Sequence, residues 1–191
     1  MKNFVRIMSG IDISTAINSV WQNPQLFNQY TLRTKTPGTP HSEVSDIWLR
    51  MNDLNKCKQS IESSEHFDHR ESINYPAWHE LSPVQALIMA TMTTVRGTRL
   101  GRCFISKMPP GAKIGSHKDV GDDLSIYYDN EPYYSRFHIV LQGEPGSLFI
   151  CEDEQVCMRT GELWSFRGDR EHSVINNSGG DRIHIVCDIK C

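Results

Sequence analysis

The chain has 191 residues, 38% of them hydrophobic and 23% charged, which fits one globular domain and excludes a disordered segment. Its net charge of −3 gives no overall pull toward nucleic acid or an anionic membrane. No apolar run reaches the ~18–20 residues of a membrane helix, and the start MKNFVRIMSGID lacks a signal-peptide core, so a cytoplasmic protein without membrane association is expected.

Phe4–Ile11 alternates apolar and polar residues as a strand does. Asp12 or Ser14 can cap a helix that runs toward Asn23 and stops at Pro24. Residues 33–42, RTKTPGTPHS, read as a loop, and Ser45–Met51 as a strand with Ile47 and Leu49 on one face. Residues 36–50 pack several polar groups beside an aromatic strand and admit two readings, a lining of the substrate mouth or, favoured, a surface loop plus an edge strand. Residues 52–74 are polar and poorly patterned, read as a short helix and a loop. Ser82 and Pro83 suit the N-cap and first position of a helix whose stripe is Val84, Leu87, Ile88 and Thr91, with Gly97 ending it.

From Thr98 onward the pattern changes to short strands separated by Gly- and Pro-bearing turns. The strands are Arg99–Lys107, Arg136–Gln142, Ser147–Cys151, Gln155–Met158, Glu162–Phe166, Ser173–Asn176 and Arg182–Ile189. Such spacing indicates a mainly β sandwich or jelly roll rather than parallel α/β units. With no repeat or low-complexity segment, residues 1–191 read as one domain: an α/β cover of 1–96 whose helices pack on a β core of 97–191. The six cysteines form no CxxC pair, which argues against a zinc ribbon. Cys103, Cys151, Cys157 and Cys187 lie in apolar strands and are expected to be free thiols, mostly buried.

The chemistry sits in three stretches. PPGAKIGSHKD supplies His117 and Asp119, and GELWSFRGDREHSVINN supplies His172. Two histidines and one carboxylate on short strands match the face that holds non-haem iron and leaves positions open for an acid cosubstrate and oxygen. His66 and Asp68 share the spacing, but their charged surroundings read as a solvated loop. Of the eight histidines, only His172 has an arginine ten residues on, Arg182, at the head of IHIVCDI. A turn can fold that arginine back beside the histidine, where its planar fork suits a carboxylate. His184 should face the same side as Arg182, Trp164 and Phe166 read as core, and His41, His69 and His79 show no partner.

These stretches, with RFHIVLQGEPG and DRIHIVCDI, resemble the aspartyl/asparaginyl β-hydroxylase branch of the 2-oxoglutarate, Fe(II)-dependent oxygenases. The resemblance implies a double-stranded β-helix, the cupin-like jelly roll, with Fe(II) on His117, Asp119 and His172. It implies that Arg182 holds the distal carboxylate of 2-oxoglutarate and that Arg136, His138 and Ser106 also contact this cosubstrate. The implied activity uses O2 to hydroxylate an unactivated C–H of an amino acid, peptide or protein side chain. The animal enzyme that names the branch has glycine at the carboxylate position; here Asp119 completes the triad, which also argues against halogenase chemistry.

Other readings belong to other classes. A cupin-like metal-binding module without oxygenase activity would not need the Arg182 clamp, and a non-catalytic interaction protein would not need the ligand set. Nucleic-acid demethylases on this scaffold carry a second arginine six residues after the first, where this chain has Asp188. The stretch 120–135, VGDDLSIYYDNEPYYS, is acidic and tyrosine-rich without lysine or arginine, and reads either as a solvated surface loop or as a lid that closes over the site and favours a cationic substrate.

Overall fold

Two antiparallel sheets face one another across the site. In the computed structural model, which describes residues 2–56, 72–119 and 134–191, the major sheet has the order β1-β9-β6-β11-β4-β2-β3 and the minor sheet β5-β10-β7-β8. The strands are β1 (Phe4–Met8), β2 (Ser45–Met51), β3 (Ile73–Asn74), β4 (Arg99–Met108), β5 (Lys113–His117), β6 (Tyr134–Gln142), β7 (Ser147–Cys151), β8 (Glu154–Val156), β9 (Leu163–Phe166), β10 (His172–Asn176) and β11 (Arg182–Lys190). From β4 to β11 the chain alternates between the sheets, apart from the β7–β8 hairpin within the minor sheet, in the manner of a double-stranded β-helix, so the expected mainly β jelly roll is the observed fold.

The period of two along each strand divides the residues between a helix-covered face and a site face. Along β11, Ile183, Ile185, Cys187 and Ile189 enter the larger core, while Arg182 and Val186 line the space between the sheets. Helices α1 (Ser14–Gln22), α3 (Pro76–Glu80) and α4 (Ser82–Thr94) cover the outer face through Ala16, Val20, Trp78, Val84 and Ile88. Each fully buried Ile or Leu in this layer contributes about 1.5–3 kcal/mol of transfer free energy. Ile47 and Leu49 join that layer, and Trp48 points the other way into a cluster with Tyr75, Phe104 and Val186.

Several boundaries differ from the sequence reading. Residues 32–35 form a short helix, α2 (Leu32–Lys35), inside what reads as loop. Strand β2 is no edge: β4 flanks it on one side and the two-residue β3 on the other. Thus β1, β2 and β3 extend the major sheet, and the N-terminal residues supply strands as well as helices. The α4 helix begins at Ser82 with Leu81 as its cap residue and no side-chain cap bond. It ends at Thr94 with Val95 as its cap residue, and Arg96 just beyond takes the positive φ of 56°, while Gly97 serves packing, since a Cβ there would meet Ile189 Cγ2 at 2.4 Å. Cys103, Cys151 and Cys187 are buried free thiols, Cys157 is half-buried and Cys191 is exposed.

Candidate active site

His117 closes β5 and His172 opens β10, and their antiparallel pairing sets the two side by side with ring centroids 4.3 Å apart. Asp119 follows in the turn, where its amide donates to the Gly168 carbonyl at 2.9 Å. A Cβ at Gly168 would stand 2.7 Å from Asp119 Oδ2, so only glycine lets the carboxylate into this place. Donor atoms of His117, Asp119 and His172 all lie within 4.8 Å of one another.

The backbone sets the state of both imidazoles. His117 Nδ1 is 2.8 Å from the Gly115 carbonyl, and His172 Nδ1 is 2.8 Å from the Arg170 carbonyl. A carbonyl can only accept, so each Nδ1 carries a proton, which leaves Nε2 as the nitrogen able to offer a lone pair. Those nitrogens face the carboxylate: His117 Nε2 is 3.9 Å from Asp119 Oδ1, and His172 Nε2 is 3.6 Å from Oδ2. Burial lowers the pKa of His172 and so favours its neutral form. Asp119 Oδ2 is buried without a hydrogen-bond partner. Two lone pairs and one unsatisfied carboxylate oxygen converging on one point are a donor set that fits a divalent metal.

Across the cleft, Arg182 heads β11 opposite Met108 and is only 3% exposed. Its Nη1 reaches the Met108 sulfur at 3.6 Å, its Nη2 has no partner, and among the described residues no carboxylate pairs with it. Burial depresses the guanidinium to about 9, which still leaves it charged at neutral pH. A buried, unpaired guanidinium is costly unless an anion joins it, so this end of the cleft fits a carboxylate.

Between these poles, Arg136 grips the buried Asp188 with Nε at 2.8 Å and Nη2 at 3.1 Å, and donates Nη1 to Asp119. The Nδ1 atoms of His138 and His184 are 3.2 Å apart, so one imidazole donates to the other. Burial, with Arg182 nearby, lowers both pKa values and favours the neutral pair, and both Nε2 atoms are buried without partners. Phe149, Phe166, Ile114 and Val174 complete an apolar lining.

All the site residues read from the sequence line this one cleft: Ser106, His117, Asp119, Arg136, His138, His172 and Arg182. His184 stands behind His138, as the alternation along β11 requires. His66, Asp68 and nearly all of the 120–135 stretch lie outside the described residues. Two residues were missed. Arg33 and His41 also line the cleft, and the His41 ring stands edge-on to that of His117 at 4.7 Å. His41 lies in the 36–50 stretch read as one that could line the substrate mouth, and the sequence signal for Arg33 was Asp46, a charged residue on the strand face opposite Ile47 and Leu49, which is Arg33's buried partner.

The family model described as aspartyl/asparaginyl beta-hydroxylase matches residues 69–191, nearly two thirds of the chain and all of the triad. The chain belongs to the aspartyl/asparaginyl β-hydroxylase family. A search of curated proteins gives no significant match. Among solved structures, this β-hydroxylase family member is similar to an oxidoreductase of the 2OG-Fe(II) oxygenase family from Burkholderia pseudomallei: TM-score 0.59, 14% identity, covering 98% of this chain and 84% of that one. It is similar to a prolyl hydroxylase from Trichoplax adhaerens in complex with a hypoxia inducible factor peptide: TM-score 0.60, 11% identity, covering 98% and 83%. A prolyl-4-hydroxylase from Pseudomonas putida gives TM-score 0.51 at 14% identity, covering 98% and 92%. At these identities the likeness is one of fold. Among the described residues no helix is long and apolar enough to cross a membrane.

Proposed function

We propose that the protein is an Fe(II)- and 2-oxoglutarate-dependent dioxygenase that hydroxylates an unactivated C–H of an amino acid, peptide or protein side chain. The observation that carries this reading is the pairing of unmet demands across one cleft. The His117, Asp119, His172 donors converge on one point with Asp119 Oδ2 unpartnered, and the buried Arg182 has no carboxylate partner among the described residues. A bare metal-binding module has no use for the second.

In this reading His117, Asp119 and His172 would hold the iron, and Arg182 would take the far carboxylate of 2-oxoglutarate. Arg136, His138 and Ser106, on the walls of the same cleft, would make its other contacts. Bound iron, with 2-oxoglutarate as the electron donor that decarboxylates to succinate, supplies the O2 activation that such a C–H demands. The chain's own residues orient and protect. The Gly115 and Arg170 carbonyls hold the imidazole tautomers, Arg136 holds the Asp119 carboxylate, and Phe149 and Phe166 keep water from the inner cleft. The free thiols Cys103 and Cys187 suit the reducing cytoplasm.

The test is succinate formation. Protein given Fe(II), 2-oxoglutarate and O2 should release succinate above a metal-free control, faster when a substrate is present, and Arg182→Ala should not. No succinate above control across a broad amino-acid and peptide panel would overturn the reading.

A further inference from the structure

The wall of the cleft nearest His117 comes from a segment outside the family match, which begins at residue 69. That segment is fastened to the site. The Gly115 amide donates to the Pro40 carbonyl at 3.1 Å, the Lys113 amide to Glu43 Oε2 at 2.9 Å, and Thr39 Oγ1 to the Arg33 carbonyl at 2.7 Å. These bonds place His41 against His117.

Arg33 lies on the Phe104 ring, 4.5 Å from its centroid, and binds fully buried Asp46 in bidentate fashion, Nε to Oδ2 at 2.6 Å and Nη2 to Oδ1 at 2.7 Å. Nη2 also approaches Ser106 Oγ at 3.5 Å. The pair fixes the fork, and Nη1 makes no hydrogen bond to any described residue. His41 adds a buried Nδ1 without a partner. Among the described residues the carboxylates around Arg33 are engaged: Asp46 with Arg33, Asp188 with Arg136 and Arg102, Asp119 with Arg136, and Glu43 with the Lys113 amide. The described part of this end of the cleft therefore presents a fixed cationic donor, a setting that suits an oxyanion. Its backbone anchor stands apart from the strand that carries Arg182. Asp46 pairs with Ser106, and Ser106 with His184, so Arg33's anchor sits two strands away, about 10 Å.

We propose that Arg33 and His41 form a substrate subsite that takes a carboxylate of the substrate, with Arg33 as the anchor and His41 as a second hydrogen-bonding partner. The proposal rests on the oxygenase reading, because it assigns the Arg182 end to the cosubstrate. The carboxylate can belong to a free amino acid or to an acidic side chain of a peptide, and the arms of the test separate these.

Zn(II)-loaded protein is first titrated with 2-oxoglutarate. Ligand-observed NMR then compares the standard amino acids, their carboxamides, and terminally blocked tripeptides containing Asp or Glu. Binding should be confined to carboxylate-bearing members, with the blocked tripeptides deciding between the two sources. Arg33→Gln alone strands Asp46 as an unpaired buried charge and risks the fold. The double variant Arg33→Gln/Asp46→Asn removes both charges together. It should weaken binding about tenfold or more, as loss of a charge-assisted hydrogen bond does, and lower 2-oxoglutarate affinity far less. His41→Ala should weaken it less. Carboxamides that bind as well as acids, unchanged affinity in both variants, or no bound member would overturn the subsite while leaving the cosubstrate reading intact. Failure to bind 2-oxoglutarate in the first titration would overturn both.

Discussion

Arg136 ties the Asp119 carboxylate to the major sheet. Its Nη1 donates to Asp119, while Nε and Nη2 hold Asp188, which is 1% exposed. The turn after β5 thus has its metal-facing carboxylate set from the opposite wall rather than by its own backbone alone. Arg136→Ala should therefore weaken metal binding about 10–100-fold, the usual cost of losing a group that orients a ligand. Manganese titration followed by electron paramagnetic resonance checks this; unchanged affinity would mean that Asp119 needs no such support.

His117 and His172 should be required outright. His117→Ala or His172→Ala is expected to abolish stoichiometric Fe(II) or Mn(II) binding, because two of the three converging donors are imidazoles. Metal analysis after desalting reads the outcome, with circular dichroism confirming that each variant is folded. Equal metal in wild type and both variants would put the site elsewhere.

The buried histidines predict sensitivity to mild acid in the metal-free protein. Burial lowers the pKa values of His138, His172 and His184, and that of His41 falls to about 2. The unfolded chain binds protons near 6.5 while the folded one resists, so their contribution to stability is complete above that pH and is lost as pH falls below it. Each such histidine contributes a slope of up to about 1.4 kcal/mol per pH unit until its folded pKa is reached. Urea midpoints should drop between pH 7.5 and 5.5. A flat profile would show that these groups are charged or exposed.

Gly143 follows β6, and a Cβ there would meet the Met158 carbonyl oxygen at 2.3 Å. Backbone cannot step aside as a flexible side chain can, so Gly143→Ala should cost on the order of 1–3 kcal/mol, as overpacking does. Thermal unfolding measures it; a shift within error would show that the strand end moves freely.

That His117, Asp119, His172 and Arg182 would be the residues to watch was legible in the sequence because each lies in a distinct local pattern: HKD after a PPG turn, and an arginine at the head of an apolar strand. The jelly roll was legible from strand spacing, although β5 was not, since Lys113–His117 has one large apolar residue, Ile114, and a glycine. Its order comes from pairing with β10, a contact remote in sequence. Arg33 and His41 were hidden for the same reason. Nothing local to RTKTPGTPHS shows that Gly115 and Lys113 will hold it against His117. Gly97 misled because glycine normally ends helices, yet here close packing on Ile189 requires it and Arg96 takes the left-handed turn.

The most direct test of the central claim is an anaerobic titration of Fe(II)-loaded protein with 2-oxoglutarate, in wild type and Arg182→Ala. Wild type should bind about one equivalent of each. Arg182→Ala should keep the iron and bind 2-oxoglutarate some tens to thousands of times more weakly, as loss of a buried charge partner costs about 2–5 kcal/mol. Iron-loaded wild type that ignores 2-oxoglutarate, or an Arg182→Ala variant that binds it equally well, would contradict the assignment of this cleft.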